Sequence, residues 1–158
     1  MIYYIRQEFL SFGNSFTILD EYKQDAFFVE RETFTWGSRF SLTSDTGKEL
    51  AYIKQESFMF PTYVIYRDGS PFATLSKEFA WFSQKFTLDV PGPNDYEIEG
   101  TLLHREFEFR RKGSVVATVS KSTFSLPEYY GVAINKDEDV VTILASCIAI
   151  DRVIKDMG

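Results

Sequence analysis

The sequence predicts a mainly β protein: a closed antiparallel β-barrel of about twelve strands around a buried C-terminal hydrophobic α-helix. Two patterns carry this prediction. Apolar and polar side chains alternate through most of the chain, and one sustained apolar segment follows near the C-terminus. We count ten to twelve short strands. Strands of this number and length are typical of a barrel or a sandwich, and an apolar helix that needs enclosure favours the closed sheet.

The alternation is clearest in the middle of the chain. In residues 105–110, Arg-Glu-Phe-Glu-Phe-Arg, charged and aromatic side chains alternate strictly, and residues 96–102 follow a similar pattern. This pattern is typical of a strand with one buried and one solvated face. Asp68-Gly69 lies between two alternating runs. Both central positions of a type I′ turn need a positive φ, which Asp-Gly accommodates, so we expect a hairpin there.

One hairpin sequence occurs twice. Residues 67–77 align with residues 111–121, with seven of eleven positions identical at an offset of 44, and a fainter copy begins at Gly47. Each copy is predicted to form the turn and return strand of a hairpin. Its alanine and the apolar residue two positions later should face inward. A duplicated ligand site built on the repeated Ser and Lys is the alternative, but we favour duplication of a sheet-building unit.

The pattern changes near the C-terminus. Residues 140–150 have almost no polar face, the acidic residues 137–139 precede them, and Lys155 follows. Acids before a helix and a basic residue in its last turn suit the helix dipole. A β-branched run of this kind is also compatible with a central strand. The length of the segment and its small residues favour a helix over 140–155, which a surrounding sheet would have to bury on every face.

Composition limits the class of protein. The 158 residues are enough for a single domain, 1–158, and 17% aromatic residues exclude an intrinsically disordered chain. Seventeen basic and 23 acidic residues give a net charge of −6, so we expect no nucleic-acid partner. The apolar run of 140–150 is shorter than the roughly 18 residues that cross a bilayer, so no transmembrane segment is expected.

The counts of cysteine and histidine limit the chemistry. The chain has one of each, Cys147 and His104. A lone cysteine forms no internal disulfide, and the N-terminus lacks a signal-peptide pattern, so the sequence predicts a cytoplasmic protein. Cys147 lies in the apolar run and is predicted to be a core residue. His104 stands at a predicted strand start, with no second histidine to help it bind a metal or act as a base. We therefore predict no catalytic residue, metal site or cofactor.

The order and spacing of five segments point to a family. The segments are residues 4–9 (YIRQEF), 16–21 (FTILDE), 27–30 (FFVE), 40–47 (FSLTSDTG) and 148–151 (IAID). In these the chain resembles the LURP-one-related family, and within it the bacterial YxjI-like branch, over nearly its full length. The resemblance implies a twelve-stranded, tubby-like barrel around a central helix, related to tubby domains and phospholipid scramblases. It implies no catalytic residues, because the family has no established reaction.

A basic cluster is the first candidate site. It comprises Arg110, Arg111 and Lys112, with Arg67 from the other copy of the repeated hairpin. Tubby domains hold phosphoinositide head groups with basic side chains, so the resemblance implies binding of anionic lipid as an alternative function. No tubby lipid-binding motif matches here residue by residue. A basic hairpin tip also promotes solubility and protects a sheet edge, which is the interpretation we favour.

Aromatic residues form the second candidate site. Phe58, Phe60, Trp81 and Phe82 lie in two segments that leave the period of two. An exposed aromatic patch would bind a partner protein or a membrane interface. The alternative, which we favour, is that these rings close one end of the barrel.

Pairs of acidic residues are the third candidate. Two carboxylates across a cleft support glycoside hydrolysis. Glu97 with Glu99, and Glu106 with Glu108, alternate with apolar residues and are better explained as a solvated strand face. We therefore expect a non-enzymatic cytoplasmic binding or scaffolding protein whose partner is a protein or small ligand. A peripheral binder of anionic phospholipid is the alternative, and a hydrolase the weakest one.

Overall fold

The computed structural model describes residues 1–7, 13–33, 35–57, 61–78, 84–121 and 126–157. Within these residues lie twelve strands and one α-helix, α1 (Val140–Met157). The strands are β1 (Ile2–Arg6), β2 (Ser15–Leu19), β3 (Asp25–Arg31), β4 (Arg39–Thr43), β5 (Glu49–Ser57), β6 (Thr62–Arg67), β7 (Ser70–Glu78), β8 (Gln84–Asp89), β9 (Tyr96–Thr101), β10 (Glu106–Arg111), β11 (Ser114–Ser120) and β12 (Tyr129–Ile134).

The strands close into an antiparallel barrel, which resolves the choice between a barrel and a sandwich. Each strand pairs with its neighbours in sequence, and β1 pairs with β12 from Ile2 opposite Ala133 to Arg6 opposite Tyr129. Closure leaves no unpaired sheet edge, so the barrel removes the template for edge-to-edge association that an open sheet presents. The prediction of about twelve strands is confirmed.

The three copies of the hairpin have the predicted inward faces. The alanine of each copy and the apolar residue two positions later are buried: Ala51, Ile53, Ala73, Leu75, Ala117 and Val119. Asp68 and Gly69 have φ values of 51° and 77°, and Lys112 and Gly113 have 51° and 81°. Two consecutive positive φ values are those of the predicted type I′ turn.

Helix α1 fills the barrel. It begins at Val140, as predicted, and ends two residues beyond the predicted Lys155. Every residue of 142–151 is buried, so the helix is enclosed on all sides, and the alternative of a central strand is wrong. Asp139 caps the helix, since its Oδ1 accepts a hydrogen bond of 3.2 Å from the amide of Thr142.

His104 differs from its predicted placement. It ends a short 3-10 turn, Leu102–His104, between β9 and β10, instead of starting a strand, and its side chain is exposed.

No helix in the described part of the chain is both long enough and apolar enough to cross a bilayer.

Gly100, just before this turn, allows a close approach of two strands. Its φ is +149°, and a Cβ built there would lie 2.6 Å from the Cα of Phe107, the residue opposite it on β10. Real Cβ atoms do not tolerate that distance from backbone. Only glycine, which has no side chain, therefore fits at this position of β9.

We predict that Gly100→Ala lowers the free energy of unfolding by about 2–3 kcal/mol, because the added methyl group forces β9 away from β10. Gly113→Ala is the matched control. It also has a positive φ but meets no atom within 4 Å, so it should cost only about 1 kcal/mol of backbone strain. Urea unfolding measures both, and equal losses would show that the close approach has no energetic consequence.

Candidate functional site

The two ends of the barrel differ in what they present. We call the end where α1 begins the start end; it carries the β6–β7 and β10–β11 turns and the loop before α1. The exit end, near the C-terminus of α1, includes Thr35, Gly37 and Ser38 before β4 and Pro61 before β6. A pocket lies at each of these ends, and a smaller one of about 280 Å³ is lined by residues of β2, β3 and β4.

At the start end, Arg67 is bound to the beginning of the helix. Its Nη1 donates to both carboxylate oxygens of Asp139, at 3.1 and 2.9 Å, and to the Thr142 hydroxyl at 3.0 Å. Thr142 in turn donates to Asp139 at 2.7 Å. The guanidinium also lies 5.5 Å from the ring centroid of Phe72. Arg67 is thus held by the helix cap.

Arg111 makes the corresponding contact with Glu138, the residue before Asp139 in the loop. Its two terminal nitrogens each donate to Glu138, both at 2.9 Å, in a bidentate pair. The same guanidinium lies over the ring of Tyr96, 4.4 Å from its centroid, and donates to the Tyr96 hydroxyl. Burial raises the pKa of Tyr96 to about 12, although the charge of Arg111 opposes that shift.

These two contacts explain the sequence repeat. Arg67 and Arg111 occupy the same position in the two copies of the hairpin, and they bind the adjacent acids Asp139 and Glu138. The repeat therefore attaches the start of α1 to the barrel from two strand pairs. Two of the three acidic residues before the helix, Glu138 and Asp139, thus each have a structural partner, in addition to their interaction with the helix dipole.

The remaining residues of the basic cluster lie on the surface. Arg110 pairs with Glu108 at 2.9 Å and donates to the carbonyl of Gly113 at 3.1 Å. Lys112 is exposed at the tip of the β10–β11 turn. The structure thus brings Arg67 and Arg111 together at the start of the helix, and three of the four predicted cations form ion pairs with acids of this chain.

A pocket of about 430 Å³ opens beside this arrangement at the start end. Its apolar side includes Phe72 and Val90, and its polar side includes Tyr96, Arg111 and Asp137. Glu138 and Asp139 also line it, and they form ion pairs with Arg111 and Arg67, respectively.

A second cavity, of about 380 Å³, lies at the exit end. Arg31 of β3, Tyr63 of β6 and Arg152 of α1 contribute to its lining, with Ser38 and Gln55. The sequence reasoning missed this cavity. One signal was available: Gln55 continues the inward-facing series of Ala51 and Ile53, so a polar side chain stands where the pattern calls for an apolar one.

A buried polar group lies deeper at the same end. Asp151 is 6% exposed, its Oδ1 lies 3.0 Å from Nε of Arg105, and its Oδ2 accepts a hydrogen bond from the Tyr130 hydroxyl. Burial raises the pKa of Asp151 to about 6, against the lowering effect of Arg105 and Tyr130. Burial likewise raises the pKa of the Cys147 thiol well above its ordinary value. Cys147 is a core residue, as predicted.

The other predicted positions fall elsewhere. Phe58, Phe60, Trp81 and Phe82 lie outside the described residues. Glu97 and Glu99 are exposed on the outer face of β9. Among the residues that the structure describes, no three of His, Cys, Asp and Glu are grouped as metal ligands.

We predict that Arg111→Met lowers the free energy of unfolding by about 2 kcal/mol, because it leaves the buried Tyr96 and the largely buried Glu138 without their cation. The neighbouring Arg110→Met is the control. The Arg110 and Glu108 side chains are 40% and 35% exposed, against 25% and 12% for Arg111 and Glu138, so its loss should stay below about 1 kcal/mol. Chemical denaturation compares them, and equal effects would contradict a structural role specific to Arg111.

We predict that Asp151 makes stability fall as the pH rises from about 4 to about 6. Its folded-state pKa is raised from 3.8 to about 6, so the folded chain holds a proton that the unfolded chain releases, and that advantage disappears above the folded pKa. Relative to Asp151→Asn, which does not titrate, the free energy of unfolding of the native protein should decrease by about 2–3 kcal/mol across this range. Unfolding measured at several pH values tests this.

Asp156→Asn serves as the control for this series, because the Asp156 side chain is largely exposed one turn later on the same helix. Its pH profile should follow that of the native protein. A native protein and Asp151→Asn variant with parallel profiles would show that Asp151 has an ordinary pKa.

Comparison with known proteins agrees with this architecture. A crystal structure of an Arabidopsis thaliana protein is similar in fold, with a TM-score of 0.69 and 13% identity, over 98% of this chain and 90% of the plant chain. The Bacillus subtilis (strain 168) protein YxjI, described as uncharacterized, is 31% identical over 152 residues, which cover 96% of this chain and 92% of YxjI. The family model for LURP-one-related proteins matches residues 1–151. A closed twelve-stranded barrel around a C-terminal helix, with these relatives, shows that the chain belongs to the LURP-one-related family.

Proposed function

We propose that this LURP-one-related protein is a non-enzymatic binding protein of the cytoplasm, and that it binds a small ligand or a partner protein with the ends of its barrel. The observation that supports this most directly is the filled interior. In barrels that carry a ligand inside, the lumen is empty enough to hold it. Here residues 142–151 of α1 occupy that space and are all buried, so the concave surfaces lie outside the lumen. They include the two end pockets, of about 380 and 430 Å³, and a smaller one of about 280 Å³ against β2, β3 and β4.

The placement of the reactive side chains supports a non-enzymatic role. Cys147 is buried, and burial raises the pKa of its thiol, which disfavours the nucleophilic thiolate. Glu97 and Glu99 lie on the outer face of a strand and line neither end pocket. A free thiol in the core is also compatible with a reducing compartment.

Binding of anionic phospholipid is the competing function. It would need cations available to phosphate groups, but Arg67, Arg110 and Arg111 each form an ion pair with an acid of this chain. Lys112 at its turn tip contributes a single exposed charge. A protein with a net charge of −6 is also repelled by an anionic surface at long range. These features favour a soluble partner.

We predict that small-molecule fragments perturb the backbone NMR signals at the ends of the barrel and leave the outer wall unchanged. The reporters are the amides of Tyr96 at the start end and Gly37 at the exit end, with the exposed Thr118 of β11 as the wall control. Perturbation confined to the wall would contradict the proposal. So would turnover of nitrophenyl phosphates, esters or glycosides that is lost in Glu97→Gln or Glu99→Gln.

Sedimentation with vesicles distinguishes binding of anionic phospholipid from the proposed binding of a soluble partner. Phosphatidylglycerol and phosphatidylcholine vesicles should sediment equally little protein at low and at moderate salt. Salt-sensitive binding to the anionic vesicles that is lost in Arg110→Ala/Lys112→Ala would establish lipid binding instead. These two positions are used because their side chains are more exposed than that of Arg111, so their replacement does not disturb the start of α1.

A further inference from the structure

The exit-end cavity contains buried polar groups whose hydrogen-bonding capacity is unused by the described part of the chain. Tyr63 is 1% exposed and lines the cavity. Its hydroxyl interacts with the Ser38 side chain but donates a hydrogen bond to no acceptor among those residues. Arg152 also lines the cavity, and its Nε is buried without a hydrogen-bond partner among the described residues. Burying such groups without a partner is unfavourable. A bound ligand that supplies the partner removes this cost, which stabilises the complex.

The charge of the cavity is positive on balance. Arg31 and Arg152 line it with one carboxylate, Asp156, which lies 3.2 Å from Arg152. Arg31 has no ion pair with any residue that the structure describes. Burial raises the pKa of Tyr63 to about 12, although Ser38, Arg152 and Arg31 oppose that shift, so the hydroxyl keeps its proton as a hydrogen-bond donor.

The wall that holds these groups is braced by Gln55. Its Oε1 accepts a hydrogen bond of 3.1 Å from the amide of Ser38, and its Nε2 donates to the carbonyl of Ser57 at 3.3 Å. Gln55 and Ser38 are both buried. Ser38, just before β4, is therefore fixed against β5, and this wall of the cavity is formed before a ligand arrives.

We propose that this cavity binds the oxyanion group of a small soluble molecule, with Arg31, Arg152 and the Tyr63 hydroxyl as its donors. The proposal deepens the proposed function and rests on it. Guanidinium groups match the geometry of phosphate and carboxylate oxygens, and a phenol hydroxyl donates a third hydrogen bond. A volume of about 380 Å³ holds such a group together with a small molecular body. The ligand displaces Asp156 from Arg152, and the exposed carboxylate turns to solvent.

Titration of the full-length protein with inorganic phosphate and with acetate, followed by NMR at constant ionic strength, tests the proposal. Both anions should shift the amide signals of Gly37 and Ser38, and chloride should not. Arg31→Met and Arg152→Met should each weaken binding about tenfold. Tyr63→Phe, which removes only the hydroxyl, should weaken it by about threefold to tenfold.

Asp156→Asn provides a change of the opposite sign. It removes the carboxylate that competes for Arg152, so phosphate should bind several-fold more tightly, an effect that a merely structural role of this ion pair would not produce. Arg110→Met, an exposed arginine at the start end, is the matched control and should leave phosphate binding unchanged.

The remaining outcomes overturn the proposal. In the first, no oxyanion shifts the amide signals at millimolar concentration. In the second, Arg31→Met and Arg152→Met leave those shifts unchanged. In the third, the protein binds phosphatidylglycerol vesicles but not free phosphate. If the oxyanions fail while fragments still perturb the start end, the site is wrong and the binding function stands. If nothing perturbs either end, both fail.

Discussion

A helix that is apolar on every face has to be enclosed on every side, and this requirement governs the structure. Ten consecutive residues of α1, 142–151, are buried, which no single open sheet can achieve because it covers only one side of a helix. Closure of β1 onto β12 provides the missing side. The inward positions of the strands and the helix thus form one core.

Apolar packing is not directional, so it does not by itself fix how the helix sits along the barrel axis. Polar contacts near both ends supply that information. Asp139 and Glu138 bind arginines from two different hairpins at the start, and Asp151 binds Arg105 and Tyr130 towards the exit. A shift or rotation of the helix would separate several buried polar partners together, and this cost selects one position.

The same arrangement restricts where the protein meets other molecules. The interior is filled, the two larger of the pockets described here lie at the ends of the barrel, and the two ends differ in electrostatic character. At the start end, the arginines and acids neutralise one another within the chain. At the exit end, Arg31 remains without an ion pair in the described residues, beside a buried tyrosine hydroxyl that donates to no acceptor there. An oxyanion therefore finds better partners at the exit end than at the basic cluster that the sequence brought to attention.

Local sequence patterns were sufficient to predict the strands, the repeated hairpin, and the start and burial of α1, because strand alternation and helix capping are properties of short segments. Which polar side chains meet depends on the folded arrangement of distant segments. Arg67 and Arg111 were visible as a repeated pair of cations, but their acids lie 72 and 27 residues further along the chain. Arg31, Tyr63 and Arg152 share a cavity although they belong to three separate elements. Local periodicity states which way a side chain points, whereas barrel closure and the axial position of the helix decide what it meets.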